Sequence, residues 1–201
     1  SAEREISLES GKAVHAALTQ SGIDAHAIDY KPGLCNQLVD NAYDRVFLAL
    51  HGRGGEDGTV QKELELVGIP YTGSSSSASA RAMDKVKSKS IWHKAGLSTP
   101  DSIEVNENSN WKSVAKKIGL PVMIKPVREG SSFGISIVKP GEGSLEEAMK
   151  EALKFDENLI IEAYVPGVEL TVSILGDEVF HPIHIKPSGQ FYDFESKYNS
   201  L

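Results

Sequence analysis

A loop rich in glycine and serine, framed by two apolar segments, constrains the fold of this chain more than any other feature: Lys125-Pro-Val-Arg-Glu-Gly-Ser-Ser-Phe-Gly134. The apolar residues 120–124 before it and 135–138 after it have the composition of strands, so the sequence predicts a hairpin. Glycines allow backbone N–H groups to approach phosphate oxygens, serines add hydroxyl donors, and Lys125 adds positive charge. We therefore predict a hairpin that covers a nucleotide, although an ordinary hairpin loop with a surface lysine would give the same pattern.

The composition indicates a soluble globular protein of one large domain or two small ones, since 40% of the 201 residues are hydrophobic and 24% are charged. The net charge of −7 argues against a general nucleic-acid binder, and no apolar run approaches the roughly 20 residues of a membrane span. Cys35 is the only cysteine, which excludes an intramolecular disulfide and fits a reducing compartment. We predict a cytoplasmic enzyme without a nucleic-acid or membrane partner, and a surface position without a role for Cys35.

The residues up to about 80 alternate helical and apolar extended patterns, which is typical of an α/β domain. The run 45–50 is almost wholly apolar, as expected of a strand buried on both faces of a parallel sheet. The glycine-rich residues 51–58 follow it directly, at the place where α/β sheets bind their ligands. We predict helices at 7–20 and 59–67 and strands at 23–28, 45–50 and 68–74, as part of a doubly wound α/β domain.

Beyond a domain boundary between residues 80 and 100, short strands are interleaved with helices, which favours an α+β arrangement with antiparallel strands. Gly176-Asp177 is a strong hairpin signal between two of these strands. Ser144 and Glu147 have the spacing of a helix-capping box. We predict helices at 84–95, 109–118 and 144–155, and strands at 120–124, 135–138, 158–162, 168–175 and 178–186.

Six segments of this chain resemble, in the same order, the ATP-grasp superfamily and within it the D-alanine–D-alanine ligase family. They are Ser1-Ala-Glu-Arg-Glu-Ile-Ser-Leu, Ala49-Leu-His-Gly-Arg-Gly-Gly-Glu-Asp-Gly, Tyr71-Thr-Gly-Ser, Met83-Asp-Lys, Ile124-Lys-Pro-Val-Arg-Glu-Gly-Ser-Ser-Phe-Gly and Phe191-Tyr-Asp-Phe-Glu-Ser-Lys-Tyr. The resemblance implies an ATP-grasp fold with an N-terminal doubly wound α/β domain at 1–83, a central α+β domain at 84–166 and the start of a C-terminal α+β domain at 167–201, ending in the ω-loop.

The resemblance also implies an activity: the ATP-dependent, ADP-forming ligation of two D-alanines through an acyl phosphate, giving D-alanyl-D-alanine for peptidoglycan. It implies ATP and Mg²⁺, with Mn²⁺ as a possible substitute, as cofactors of a homodimer in the bacterial cytoplasm. On the substrate side it implies that Glu3 binds the ammonium group of the first D-alanine, while His51 lines that site and Glu56 supports it. A helix N-terminal carboxylate would account for Glu3 without this role. Ser131 and Tyr198 would form a network with Glu3 that orients the ω-loop.

On the ATP side the resemblance implies phosphate contacts from lysines of different elements and from the covering loop, and a hinge that binds adenine. Tyr164 departs from the family pattern, because the family commonly has Trp at this position. Lys87 and Lys89 are predicted to belong to a solvated charge run. The implied ATP ligands are Lys85, Lys125, Ser132 and Lys197 for the phosphates, Glu162, Ala163, Tyr164 and Val165 for adenine, and Glu169 for the ribose.

The family pattern continues at both ends, so we expect the 201 residues to be a portion of a longer polypeptide and to be inactive alone, with metal ligands that cannot be named here. Another ATP-grasp carboxylate–amine ligase would share four of the implied ATP ligands, Lys85, Lys125, Glu162 and Glu169. It need not share Glu3, His51 or Tyr198. A non-catalytic nucleotide-binding module and a plain structural α/β protein are further alternatives.

Overall fold

The computed structural model describes residues 3–186, and the chain divides after Ser88 into two compact units. Each unit has its own hydrophobic core. None of the helices in residues 3–186 is both long enough and apolar enough to cross a membrane. The domain limits predicted at residues 83 and 166 stay predictions.

The first unit is built mainly of helices. They are α1 (Arg4–Gln20), α2 (Leu34–Asp40), α3 (Thr59–Val67) and α4 (Ser76–Met83). α3 has the bounds predicted from the sequence, whereas α2 and α4 were not predicted. The core lies between α2, α3 and the segment after α3, where four residues are buried together: Leu38, Val60, Leu64 and Ile69.

Cys35 lies in this core and is 4% exposed, so the prediction of a surface position is wrong. Its thiol donates to Oε2 of Glu63 at 3.5 Å, and the Tyr30 hydroxyl donates to Oε1 of the same carboxylate at 2.7 Å. Burial, and then the hydrogen bond to Glu63, raise the pKa of Cys35 to about 11. The thiol is therefore a protonated core group.

The strand predicted at 45–50 is reduced to one parallel bridge, between Val46 and Tyr71. The backbone N–H of Leu48 donates to the hydroxyl of Thr72 at 3.0 Å instead of to a backbone carbonyl. A side chain therefore replaces the next rung of the ladder, and pairing stops after one residue.

Two further predictions for this unit are wrong. Residues 23–28 form no strand. Phe47 is 52% exposed, so the run 45–50 is not buried on both faces. A parallel strand is buried on both faces only when helices and neighbouring strands surround it, and the described residues of this unit provide no second ladder beside this run.

An antiparallel sheet is the framework of the second unit. In their order across the sheet, the strands are β1 (Ser102–Val105), β4 (Leu159–Ala163), β2 (Val122–Pro126) and β3 (Ser136–Val138). The helices are α5 (Lys85–Lys94), which begins before the division, α6 (Trp111–Ile118) and α7 (Leu145–Ala152). The hairpin predicted around the glycine-rich loop is confirmed, since Val122 lies opposite Val138 in the pair β2–β3. The side-chain oxygen of Ser144 accepts from the N–H of Glu147 at 3.3 Å, as the capping prediction requires.

The two faces of this sheet have different surroundings. Ile124 and Ile161 are fully buried against α6 and α7, where Met149 completes the core. Because side chains alternate along a strand, Lys125 of β2 and Glu162 of β4 lie on the opposite face. The sheet therefore separates the core from a face that carries charge.

The hairpin predicted about Gly176-Asp177 has the expected turn but shorter strands. Two residues lie between Thr171 and Ile174 on one side, and three lie between Val179 and Ile183 on the other. The extra residue interrupts the ladder as a β-bulge does. The result is two short pairs, β6 (Ile174–Leu175) with β7 (Glu178–Val179) and β5 (Glu169–Thr171) with β8 (Ile183–Ile185).

Candidate active site

Glu3 immediately precedes α1 and is only 2% exposed, although it carries a charge. Ser7 and Ser10 follow it at helical spacing and lie on the same side of the helix. The Ser7 hydroxyl donates to the carbonyl of Glu3 at 3.1 Å and accepts from the backbone N–H of His51 at 2.9 Å. These bonds tie the first turn of α1 to the glycine-rich residues 51–58.

His51 is held from two sides. Its Nε2 lies 2.9 Å from the hydroxyl of Ser10, and its Nδ1 lies 3.6 Å from Oε1 of Glu56. The other carboxylate oxygen of Glu56 accepts from the backbone N–H of Gly52 at 3.0 Å. Glu56 thus supports both the imidazole and the loop backbone, in agreement with the supporting position predicted for it.

Gly52 brings the loop against Glu3. It has a φ of +70°, and a Cβ placed on it would lie 2.1 Å from Oε2 of Glu3. Any side chain at this position would displace the carboxylate. The structure therefore brings Glu3, His51 and Glu56 together around one glycine, and their roles toward D-alanine stay predictions.

Sequence reasoning missed Ser7 and Ser10. Their signal was available, because positions 3, 7 and 10 recur at the i, i+4, i+7 spacing of one helix face.

A second group of charges lies on the sheet of the second unit. Glu162 is 5% exposed, and its Oε1 forms an ion pair with Nζ of Lys125, the lysine at the base of the glycine-rich loop. The side chain of Lys125 is 23% exposed. The structure thus joins two of the residues that the sequence assigned separately to adenine and to phosphate.

Lys89 completes this group, and the prediction that it belongs to a solvated charge run is wrong. Its Nζ lies 2.9 Å from Oε2 of Glu162 and donates to the Thr99 hydroxyl at 2.7 Å, and its side chain is 12% exposed. Lys87 differs, since its side chain is 63% exposed and lies 3.4 Å from Asp84. Lys85 and Lys89 are four residues apart, so the shared helix face was the signal that could have found Lys89.

Burial alone would raise the pKa of the Glu162 carboxyl, but the hydrogen bond and charge of Lys125, and then those of Lys89, outweigh it. The pKa therefore lies below its ordinary value of 4.5. Glu162 is a carboxylate at neutral pH and can accept hydrogen bonds from a donor that reaches this face.

The glycine-rich loop is attached at both ends to the segment after α7. At its start, the carboxylate of Asp156 accepts from the backbone N–H of Arg128 at 2.8 Å. At its end, Phe133 stacks on Phe155 with ring centroids 5.6 Å apart. Gly134, with a φ of +65°, packs so closely that a Cβ would lie 2.8 Å from Phe155. The loop is thus clamped by its neighbours on both sides.

Ser131 and Ser132, between these two attachments, have φ values of +46° and +63°. A left-handed conformation costs a residue other than glycine on the order of 1 kcal/mol or more, and such strain concentrates at ligand-binding loops. The conformation fits the prediction that this loop covers a ligand.

The remaining residues of the predicted adenine and ribose site lie at the end of β4 and beyond. The backbone N–H of Ala163 donates to the carbonyl of Asp101 at 2.9 Å, so this N–H is already used within the sheet. Tyr164 is half-buried, Val165 is 64% exposed and Glu169 begins β5 at the surface. Their roles toward a nucleotide stay predictions.

Lys85 begins α5, in the first unit, while Lys125 belongs to the second. Oδ1 of Asp84 accepts from the N–H of Lys87 at 3.0 Å and so caps α5 beside Lys85. Lys197 and Tyr198 lie outside the described residues. The phosphate clamp and the ω-loop network therefore stay predictions.

No magnesium ligand can be named among the described residues. Among residues 3–186, no three or more His, Cys, Asp or Glu side chains are grouped so that they could hold a metal ion. Mg²⁺ is usually held by carboxylates together with waters and phosphate oxygens. No metal ligand is assigned to this part of the chain.

Comparisons with known proteins cover the whole chain and all point to one family. A family model described as the D-ala D-ala ligase C-terminus matches residues 91–201, and one described as the D-ala D-ala ligase N-terminus matches residues 32–74. D-alanine–D-alanine ligases from Chromohalobacter salexigens and Nitrosospira multiformis are each 50% identical to this chain over 200 residues. All of this chain is covered, but it spans only 63% and 65% of the lengths of these relatives.

Solved structures give the same result. A D-alanine–D-alanine ligase from Bacillus anthracis in complex with ATP is 32% identical, with a TM-score of 0.78 over 96% of this chain and 65% of its own. The VanG D-Ala:D-Ser ligase from Enterococcus faecalis is 38% identical, with a TM-score of 0.66 over 78% of this chain and 47% of its own. Since one family model alone covers more than half of the residues, this chain belongs to the D-alanine–D-alanine ligase family and has its ATP-grasp fold.

Proposed function

We propose that the protein joins two D-alanine molecules in an ATP-dependent, ADP-forming reaction that passes through an acyl phosphate and gives D-alanyl-D-alanine for peptidoglycan. Membership of the family supports this proposal, as do relatives of that name matched over the whole of this chain. The complex of the Bacillus anthracis relative with ATP supports ATP as the nucleotide.

One observation carries the proposal: the carboxylate of Glu3 is buried at the N-terminus of α1, directly against Gly52. A buried carboxylate is a suitable anchor for the ammonium group of an amino acid, because opposite charges attract each other more strongly where the dielectric constant is low. His51, Glu56 and the two serines of α1 fix the loop around it. Their arrangement supports a site for the first D-alanine in which Glu3 binds and orients the substrate.

On the nucleotide side, we propose that Glu162 accepts a hydrogen bond from the 6-amino group of adenine. Lys125, at the base of the covering loop, would bind a phosphate oxygen, and Glu169 would accept from the ribose hydroxyls. Catalysis of phosphoryl transfer depends mainly on positioning and on positive charge around the transferred group. The loop clamped by Asp156 and Phe155 would supply backbone and hydroxyl donors to that group.

The other roles rest on the family resemblance alone. They are phosphate binding by Lys85, Ser132 and Lys197, and a network of Ser131 and Tyr198 with Glu3. A homodimer, a cytoplasmic location and the use of Mg²⁺, or of Mn²⁺ in its place, have the same basis. We propose no metal ligand among residues 3–186.

The test is phosphate release from MgATP by the purified full-length protein, with D-alanine and with L-alanine. We expect release that requires D-alanine. Glu3→Gln should abolish it by weakening the binding of D-alanine, while Glu5→Gln, an exposed carboxylate in the same helical turn, should leave it unchanged. Release that depends on another amino acid would favour a different carboxylate–amine ligase, and nucleotide binding without release would favour a non-catalytic module.

A further inference from the structure

The ion pair between Lys125 and Glu162 conflicts with the roles proposed for these two residues. In this structure Nζ of Lys125 lies on Oε1 of Glu162. The proposed function uses the same ammonium group for a phosphate and the same carboxylate for adenine. Contact with a phosphate oxygen would therefore draw Lys125 away from Glu162.

This movement has a consequence for the charge of Glu162. Its side chain is 7% exposed, and a buried carboxylate that loses its only cation tends to take up a proton. A protonated carboxyl is a poorer acceptor for the 6-amino group and can donate to a 6-keto group instead. A site that selects adenine through Glu162 therefore needs a second cation that stays in place.

Lys89 has the geometry of such a cation. It binds Oε2 of Glu162 at 2.9 Å, the oxygen that Lys125 does not use, and the hydroxyl of Thr99 holds its ammonium group at 2.7 Å. The side chain is 12% exposed, less than the 23% of Lys125. Lys89 can remain on Glu162 while Lys125 moves.

We propose that Lys89 is a positioning residue for the nucleotide base: it is the permanent counter-ion that keeps Glu162 ionised and oriented when Lys125 turns to the phosphates. The proposal rests on the proposed function, since it requires that a nucleotide binds with its base at Glu162. It assigns a task to a lysine that would otherwise be one more member of a polar helix.

Two charged groups from different elements act on Glu162, and uncharged residues lie opposite it in the sheet. The charged groups that lower its pKa are Lys125, on β2, and Lys89, on α5. Across the sheet, Glu162 lies opposite Ser102 of β1 and Met123 of β2. Protonation of Glu162 therefore depends on the two lysines.

The experiment compares the binding of ATP and of inosine triphosphate, which has a 6-keto group in place of the 6-amino group, by calorimetry between pH 6 and pH 8.5. The purified protein should bind ATP more tightly, by a ratio that is constant over this range because Glu162 stays ionised. In Lys89→Met the ratio should fall about tenfold at pH 6 and recover as the pH rises. With Lys125 turned to the phosphates, the buried carboxyl would have neither lysine beside it, and each of these charges lowers a carboxyl pKa by about 1–3 units.

Three variants control the experiment. Lys87→Met removes an exposed lysine two residues away on the same helix and should leave the ratio unchanged. Lys89→Arg, which keeps the charge, should restore the flat profile. If Lys89→Met does not fold, Lys89→Gln removes the charge and keeps a donor, and the same fall in the ratio is expected.

Equal weakening of both nucleotides at every pH would overturn the proposal for Lys89 and leave the proposed function intact. A wild-type protein that binds neither nucleotide, or that does not prefer ATP, would overturn the proposed role of Glu162 and the inference with it. The same pH-dependent loss of preference in a Glu162→Gln background would also contradict the proposal, because that variant has no carboxyl to protonate.

Discussion

Replacing Gly52 by alanine tests how closely the glycine-rich loop fits around Glu3. The new Cβ would lie 2.1 Å from Oε2 of Glu3, whereas ordinary contact begins at 3.4 Å, so the carboxylate must move by about 1 Å. Because the obstacle is the end of a flexible side chain, the fold can adapt. The free energy of unfolding should then fall only by the cost of alanine at positive φ, about 1–2 kcal/mol. A 1 Å displacement of a substrate-binding group should lower kcat/KM for D-alanine about 100-fold.

Gly54→Ala is the matched control in the same loop. Gly54 has a φ of +86°, and no heavy atom lies within 4 Å of the Cβ that it would carry. It therefore repeats the backbone cost of Gly52→Ala without the contact with Glu3. Urea unfolding gives the stability of both variants, and phosphate release as a function of D-alanine concentration gives kcat/KM. The reasoning is refuted if the two substitutions lower kcat/KM equally, or if only stability changes.

Three further predictions concern other parts of the chain. Asp156→Ala should lower the free energy of unfolding in urea by about 2 kcal/mol, because the N–H of Arg128 loses its acceptor. Gly134→Ala should destabilise by about 2–3 kcal/mol and raise the KM for ATP, since the Cβ would meet Phe155 at 2.8 Å and φ is +65°. The folded state keeps the proton of Cys35 up to about pH 11, while the unfolded chain releases it near 9.0. Its contribution to stability is therefore complete below about pH 9 and is lost as the pH rises toward 11, as urea unfolding at a series of pH values would show.

Each of these has an outcome that contradicts it. For Asp156, the variant Asp156→Asn should recover part of the free energy of unfolding that Asp156→Ala loses. Equal losses in these two variants would mean that the hydrogen bond to Arg128 is not the cause. For Gly134, the control is Gly141, which has a φ of +74° and open space where a Cβ would lie. Gly141→Ala should therefore destabilise less than Gly134→Ala, and an equal loss of stability would contradict the role of the contact with Phe155. For the cysteine, rapid reaction with a thiol reagent in the folded protein at pH 8 would contradict a protonated, buried thiol.

The substrate side of the candidate site was predictable because its residues lie close together in the sequence. His51 and Glu56 belong to one loop, and the four glycines at 52, 54, 55 and 58 indicate a close approach of the backbone. What the sequence could not show is that Gly52 faces Glu3, since that contact joins residues about fifty positions apart.

Lys89 was missed for a different reason. A lysine in the run Lys85-Val-Lys-Ser-Lys-Ser is more often solvated, and local pattern alone does not reveal a buried acid 73 positions away. The strand predicted at 45–50 was wrong for another reason. Apolar composition indicates that a segment prefers burial, but it does not show whether a neighbouring strand is present to form a ladder with it. There, the hydroxyl of Thr72 took the place of a backbone acceptor.

Formation of the dipeptide is the most direct test of the central claim. The purified full-length protein would be incubated with MgATP and D-alanine, and D-alanyl-D-alanine and ADP would be measured by mass spectrometry. The account predicts both products in equal amounts, and neither from L-alanine. ADP formed without dipeptide, or a product that contains another amino acid, would contradict it.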